Sequence, residues 1–218
     1  MRVLIGCEYS GVVREAFRAL GHDAYSCDIL PTEIPGQHIQ DDVRNVLDWN
    51  WDLAIFHPPC TYLAYSGIAH WNKPGRAIKR RMAADFFMQL YDCDIPHIAV
   101  ENPVGWMNTI FRKPDQIIHP YYFGDRDMKK TCLWLKNLPL LGFFNYTELP
   151  EPLYVHERKP SKHYKGGETK KRYFVDHKGS LDGQERARTF PGIAAAMAAQ
   201  WSIIDTLPIQ HELWGNAS

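Results

Sequence analysis

The sequence predicts an α/β fold with a mainly parallel, doubly wound sheet, and three observations lead to this prediction. Short apolar runs typical of buried strands alternate with segments in which apolar residues recur at helical spacing. The chain has 218 residues, of which 45% are hydrophobic, so it can bury the core of one large domain. Residues that can act in catalysis or binding follow several of the apolar runs. In a parallel sheet these positions are the strand ends, where ligands bind.

Strands and helices alternate through the first half of the chain. Five apolar runs predict buried strands, at residues 2–6, 24–28, 52–56, 97–101 and 131–135. Two segments predict helices, at residues 11–20 and 74–91. The second helix carries apolar residues on one face, namely Ile78, Met82, Phe86 and Leu90. A short element is expected at residues 43–47. This alternation indicates helices on both faces of the sheet.

The composition divides the chain into four regions. Residues 1–138 are predicted to form the main domain, and residues 139–188 a small basic insertion. An alanine-rich helix within residues 189–207 returns to the main domain, and residues 208–218 form a tail. The insertion interleaves lysines and arginines with aromatic residues, which suits phosphate contacts and base stacking. A solvated loop is the competing interpretation.

Charge and cysteine content narrow the class of protein. The formal net charge is zero, which argues against a uniformly basic surface. Five cysteines are widely spaced without a C-x-x-C motif, so neither a disulfide framework nor a zinc finger fits. We find no signal peptide and no membrane-spanning run, and therefore expect a reducing cytoplasmic location without a membrane partner.

Two strand ends carry the strongest functional signal. His57-Pro58-Pro59-Cys60 follows one apolar run, and Glu101-Asn102-Pro103 follows the next. Two prolines stiffen the approach to Cys60, and this cysteine is expected to be more exposed than Cys27 or Cys93. A glutamate at a buried strand end is costly unless it is paired or functional. A structural cysteine and a structural salt bridge are the alternatives.

The first loop and two aspartates suggest a cofactor site. The loop Gly6-Cys7-Glu8-Tyr9-Ser10-Gly11 joins the first strand to the first helix, where backbone N–H groups can meet a ligand. It is not G-x-G-x-x-G, so a dinucleotide is a poor match. Asp28 ends the second strand and could accept hydrogen bonds from a ribose, and Asp42 could meet a base edge. A tight turn, a helix cap and a solvated acidic pair are the respective alternatives.

These residues resemble the motifs of the C5-cytosine DNA methyltransferases. Pro59-Cys60 matches the family's catalytic Pro-Cys motif, with Gly67 at the place of its downstream glycine. Glu101-Asn102 matches the start of the Glu-Asn-Val motif. Lys129-Lys130 stands where the family has Gln-x-Arg-x-Arg, and the segment from Pro191 resembles the final motif. The resemblance spans about residues 1–207 and implies a Rossmann-like S-adenosylmethionine-dependent methyltransferase sheet with a small basic insertion.

The resemblance implies a mechanism and a set of site residues. Cys60 is the nucleophile that adds to a flipped cytosine, while Glu101, Asn102 and Lys130 complete the catalytic group. S-adenosyl-L-methionine is the expected cofactor. Eight residues are expected to bind it: Gly6, Cys7, Glu8, Ser10, Gly11, Asp28, Asp42 and Pro59. DNA is the expected partner, in duplex form with a flipped base. Seven cationic residues are expected to bind it: Lys73, Arg76, Arg80, Arg158, Lys162, Lys171 and Arg172.

The departures from the family keep several alternatives open. Glu8 stands where a glycine is usual, and Thr61 replaces the glutamine after the cysteine. Only about fifty residues lie where the family holds a larger target-recognition domain. This suggests a minimal enzyme, such as a phage or prophage form, or one that needs a protein partner. The alternatives are a homologue without activity, a free cytosine nucleotide or RNA as substrate, and a modified S-adenosylmethionine as donor. An amino-methyltransferase fits less well, because His57 and Cys60 replace the polar and aromatic ends of that motif.

Overall fold

The computed structural model describes residues 1–125, 129–143 and 188–203, together with the backbone of residues 154–157 and 171–174. Its strands are β1 Arg2–Gly6, β2 Asp23–Asp28, β3 His38–Gln40, β4 Leu53–Phe56, β5 His97–Pro103, β6 Gln116–Ile118, β7 Thr131–Lys136, β8 Tyr154–Glu157 and β9 Lys171–Phe174. Its α-helices are α1 Val12–Ala19, α2 Arg76–Tyr91, α3 Met107–Ile110 and α4 Pro191–Trp201. Short 3₁₀ helices span Val43–Val46, Tyr65–His70 and Pro120–Phe123.

Seven strands form one mixed sheet in the order β3-β2-β1-β4-β5-β7-β6. The strands from β3 to β5 are parallel, whereas β7 runs antiparallel between β5 and β6. The chain reverses its direction of travel across the sheet between β1 and β4, and such a switch point opens a ligand crevice at the strand ends. The predicted α/β class is therefore confirmed, and the sheet is compatible with a Rossmann-like fold. The strands β8 and β9 form a separate antiparallel pair.

Helices cover both faces of the sheet. On one face α1 and α4 pack together, burying residues such as Phe17, Met197 and Trp201. On the other face α2 packs through Ala84, Phe87 and Leu90. Strand β4 is buried along its whole length, as expected for a central parallel strand between two helical layers.

The structure differs from the predicted elements at several points. The two strands His38–Gln40 and Gln116–Ile118 were not predicted, because each has three residues and mixed polarity. The apolar face proposed for α2 is wrong in its first half, since Ile78 is 68% exposed and Met82 is 64% exposed. This half of the helix lies beyond the region that packs against the sheet.

The later regions are described only in part. From the predicted basic insertion, the structure describes residues 139–143 and the backbone of β8 and β9. Helix α4 lies within the predicted returning segment and packs against α1. The predicted tail at residues 208–218 lies outside the described residues. Within the described residues, no helix has the length and apolar character that a membrane span requires.

Candidate functional site

The parallel pairing of three neighbouring strands stops at the same level and defines the candidate site. Gly6 in β1 pairs with Phe56 in β4, and Phe56 pairs with Val100 in β5. The residues that follow this row are therefore Cys7, His57 and Glu101. Because the strands are parallel, their carboxyl ends place these residues along one edge of the sheet, at the switch point between β1 and β4.

His57 and Glu101 form a pair at the centre of this edge. The Nδ1 atom of His57 lies 3.3 Å from Oε2 of Glu101, and their side chains are 8% and 20% exposed. Burial acts to raise the pKa of Glu101. The hydrogen bond and charge of His57, with the charge of Lys129, outweigh burial and hold this pKa below its usual value. Glu101 is therefore a carboxylate at neutral pH.

Asn102 ties the end of β5 to the proline turn before Cys60. Its Nδ2 atom donates a 2.8 Å hydrogen bond to the carbonyl of Pro58, and the asparagine is only 2% exposed. Its Oδ1 atom is buried and has no hydrogen-bond partner among the described residues. Asn102 thus fixes the relative positions of the two segments that carry Cys60 and Glu101.

A backbone strap joins the same two segments a few residues further on. The amide of Tyr65 donates to the carbonyl of Val104, and the amide of Trp106 donates to the carbonyl of Leu63. Gly105 makes this approach possible, because a Cβ atom there would lie 2.2 Å from the Leu63 carbonyl oxygen. Together with Asn102, the strap holds the loop after Cys60 against the end of β5.

All five cysteines of the chain lie in described segments, and they form no disulfide. Cys60 is the one that is exposed. The four others are buried or half-buried. Burial raises the pKa of Cys7, Cys27, Cys93 and Cys132, and it raises that of Cys27 to about 12. These four remain thiols at neutral pH. The expected contrast in exposure between Cys60 and Cys27 is confirmed, although Cys93 is only half-buried.

The first loop differs from the expected ligand cradle, because Glu8 occupies it. The buried Glu8 carboxylate accepts hydrogen bonds from the amides of Val13 and Arg14, at 2.7 and 3.3 Å, and from the Ser10 hydroxyl at 3.2 Å. The N-terminal amides of α1 that were expected to meet a ligand are therefore already paired. Gly11 adopts φ 77°, which lets the loop turn into the helix.

The two predicted cofactor aspartates lie at the ends of β2 and β3. Burial raises the pKa of Asp28, whose Oδ1 atom accepts from the amide of Leu30 at 2.9 Å. Asp42 caps the following 3₁₀ helix and forms a 2.5 Å ion pair with Arg44, whose hydrogen bonds lower the pKa of Asp42. Asp28 is half-buried and bonds its own loop, whereas Asp42 has a local structural role.

A pocket lies beside Glu101 where β7 meets the start of α4. It is small, with room for little more than a water molecule, and is lined by Glu101, Lys129, Thr131, Arg188, Thr189, Phe190 and Ile193. The lysine whose charge acts on Glu101 is Lys129. Lys130, the predicted catalytic lysine, is exposed, and its charge acts on Cys132 instead.

The predicted nucleic-acid contacts fall into two groups. Lys73 is exposed, and the Arg76 guanidinium covers the ring of Tyr62. The Arg80 guanidinium lies 4.5 Å from the ring centre of Trp71 and 5.0 Å from the ring centre of Trp106. Arg80 thereby packs the loop after Cys60 onto α2. Lys171 and Arg172 belong to β9, described by its backbone alone, and Arg158 and Lys162 lie outside the described residues.

Sequence reasoning did not select His57 or Lys129 as individual site residues. His57 carried a usable signal, since it directly follows a central strand, level with Glu101. The fold and the site define an α/β protein with an exposed thiol and a carboxylate near the carboxyl ends of its parallel strands. No protein-family model matches the chain, and no curated protein matches it.

Proposed function

We propose that this protein is an S-adenosylmethionine-dependent methyltransferase that acts on C5 of cytosine in DNA through a covalent cysteine adduct. The observation that carries the proposal is the fixed relation between Cys60 and Glu101. The Asn102 bond to Pro58 and the backbone strap at Gly105 hold these two residues on adjoining segments of the same edge. The sequence resemblance and the α/β sheet support the same activity.

The chemistry of the two side chains is complementary toward a cytosine ring. The Cys60 thiolate adds to C6, and the electron pair of the C5–C6 double bond shifts toward C4 while N3 takes up a proton. Glu101 contacts N3 and the exocyclic amine, so it orients the ring and stabilises the adduct. Loss of the C5 proton after methylation allows Cys60 to leave and restores the ring.

The first loop supports a cofactor without a pyrophosphate. In dinucleotide-binding folds the pyrophosphate lies on the amides at the N-terminus of the first helix. The Glu8 carboxyl group takes two of those amides here, so they are not available to a phosphate. S-adenosylmethionine carries no phosphate and supplies an electrophilic methyl group on a sulfonium. In the proposed complex, Asp28 accepts hydrogen bonds from the ribose of this cofactor.

Labelled methyl transfer tests the proposal. Purified protein is incubated with methyl-labelled S-adenosylmethionine and duplex DNA, single-stranded DNA, RNA or dCMP. We expect label at cytosine C5 in DNA, and Cys60→Ala should abolish it while leaving cofactor binding measured by calorimetry nearly unchanged. Cys93→Ala is the matched control, since it removes a thiol that hydrogen-bonds Leu90. Undiminished turnover by Cys60→Ala would exclude the covalent mechanism, and label in dCMP alone would move the activity to a free nucleotide.

A further inference from the structure

His57 is a nearly buried imidazole that interacts with two carboxylates of the site. Its Nδ1 atom lies 3.3 Å from Glu101, and its backbone amide donates to the carbonyl of Gly6 on the neighbouring strand. Its charge also acts on the buried carboxyl of Glu8. Its Nε2 atom is buried without a hydrogen-bond partner among the described residues. The imidazole therefore stands between the cofactor loop and the residue that contacts the base.

The charges around His57 come from three segments of the fold. Glu8 acts on it from the loop between β1 and α1, and Glu101 from the end of β5. Lys129, just before β7, also acts on Glu101. Burial raises the pKa of Glu8, whereas the charge of His57 acts to lower the pKa of both Glu8 and Glu101.

The proposed reaction needs a proton that Glu101 alone does not carry. Addition of Cys60 to C6 requires protonation at N3, but Glu101 is held as a carboxylate in the absence of substrate. A carboxylate accepts hydrogen bonds and has no proton to donate. The Nδ1 atom of His57, at 3.3 Å from Oε2 of Glu101, is within reach for proton transfer to this carboxylate.

We propose that His57 is a positioning residue that supplies, through Glu101, the proton taken up by N3 of the cytosine. This inference rests on the proposed methyltransferase function. As the Cys60 sulfur bonds to C6, the Nδ1 proton of an imidazolium moves to Glu101, and Glu101 passes that proton on to N3. His57 is left neutral, with its remaining proton on Nε2. When Cys60 leaves, N3 returns the proton along the same path.

The replacement His57→Asn separates proton supply from positioning. Asparagine can place an N–H donor close to the position of Nδ1, so it can keep the hydrogen bond to Glu101 without titrating. The matched control is His97→Asn, which changes a histidine at the opposite end of β5 that bonds the carbonyl of Asn137. Thermal unfolding identifies variants that have lost their fold.

The measurement is the single-turnover rate of adduct formation between Cys60 and a 5-fluorocytosine oligonucleotide, followed across pH with S-adenosylmethionine present. A fluorine at C5 cannot be removed as the C5 proton is, so Cys60 is not released and the adduct accumulates. We expect the wild-type rate to fall on the alkaline side, as general acid catalysis requires. In His57→Asn the rate should drop by about 10²-fold and this alkaline fall should disappear, because asparagine does not titrate.

Each outcome decides between the claims. A folded His57→Asn protein that keeps the wild-type rate and alkaline fall would overturn the role of His57 while leaving the methyltransferase intact. A loss of rate with an unchanged pH profile would mean that His57 is purely structural, and this result would also overturn its role in proton supply. If the wild-type protein forms no adduct, the proposed function fails whether or not the protein binds S-adenosylmethionine. The proposed proton path then fails with it.

Discussion

Replacing Asn102 with alanine should loosen the turn that presents Cys60. The change removes a 2.8 Å hydrogen bond and leaves the carbonyl of the buried Pro58 without its donor. An unpaired buried polar group costs roughly 1–3 kcal/mol. Alanine also removes the buried, unpartnered Oδ1 atom, which offsets part of this cost. We therefore expect a net loss of about 1–2 kcal/mol in the free energy of unfolding.

Thermal unfolding and adduct formation measure the two consequences separately. For a domain of this size the stability loss corresponds to a fall of about 2–8 °C in Tm. A misplaced nucleophile should slow formation of the Cys60 adduct by about 10²-fold. The matched control is Asn137→Gly, which removes a 2.8 Å bond to the Pro96 carbonyl at the other end of β5 and keeps the positive φ of that position.

The reasoning is refuted if Asn102→Ala forms the adduct at the wild-type rate, or if Asn137→Gly slows it equally. The first result would mean that the turn before Cys60 keeps its position without the Asn102 hydrogen bond. The second would mean that a general loss of stability, rather than the position of the thiol, limits the rate.

Two further predictions follow from the same edge of the sheet. Gly105→Ala should separate the strap and lower Tm, because its Cβ would lie 2.2 Å from the Leu63 carbonyl, whereas Gly67→Ala meets only an ordinary 3.7 Å contact and should unfold like the wild type. Glu101→Gln should make the free energy of unfolding depend less on pH in the acidic range. Because folding lowers the pKa of Glu101 from 4.5, its stabilising contribution is present above that value and is lost as the pH falls through the folded pKa. Chemical denaturation at several acidic pH values should show the wild type losing stability relative to Glu101→Gln, and parallel curves would contradict this.

The order of elements could be predicted from the sequence because each central strand contains a run of consecutive apolar residues. Leu53–Phe56 is buried on both faces, so four consecutive apolar residues mark it clearly. The position of β7 could not be predicted in this way. Its antiparallel place between β5 and β6 depends on pairings such as Glu101 with Leu133, which join distant parts of the chain. Local patterns carry no information about that choice of neighbour.

The candidate site could be predicted as strand ends but not as a set of contacts. Cys60 and Glu101 were identifiable because a strand end is where a polar residue escapes the core. The capping role of Glu8 was not predicted, since it depends on a side chain that folds back onto amides five and six residues later. The choice of Lys129 over Lys130 depends on side-chain direction, which adjacent positions in an extended segment place on opposite sides.

The packing of α4 against α1 has a consequence for how the protein folds. The core beneath the first loop combines Val3 and Phe17 with Ile193 and Trp201, and the His22 ring lies 2.7 Å from the Ser202 hydroxyl. During synthesis the part of α1 that packs against α4 must therefore stay uncovered until nearly two hundred residues have emerged. Contacts between such distant segments slow folding, since a long loop has to close before they form. The loop that carries Glu8 thus acquires its final support among the last steps of folding.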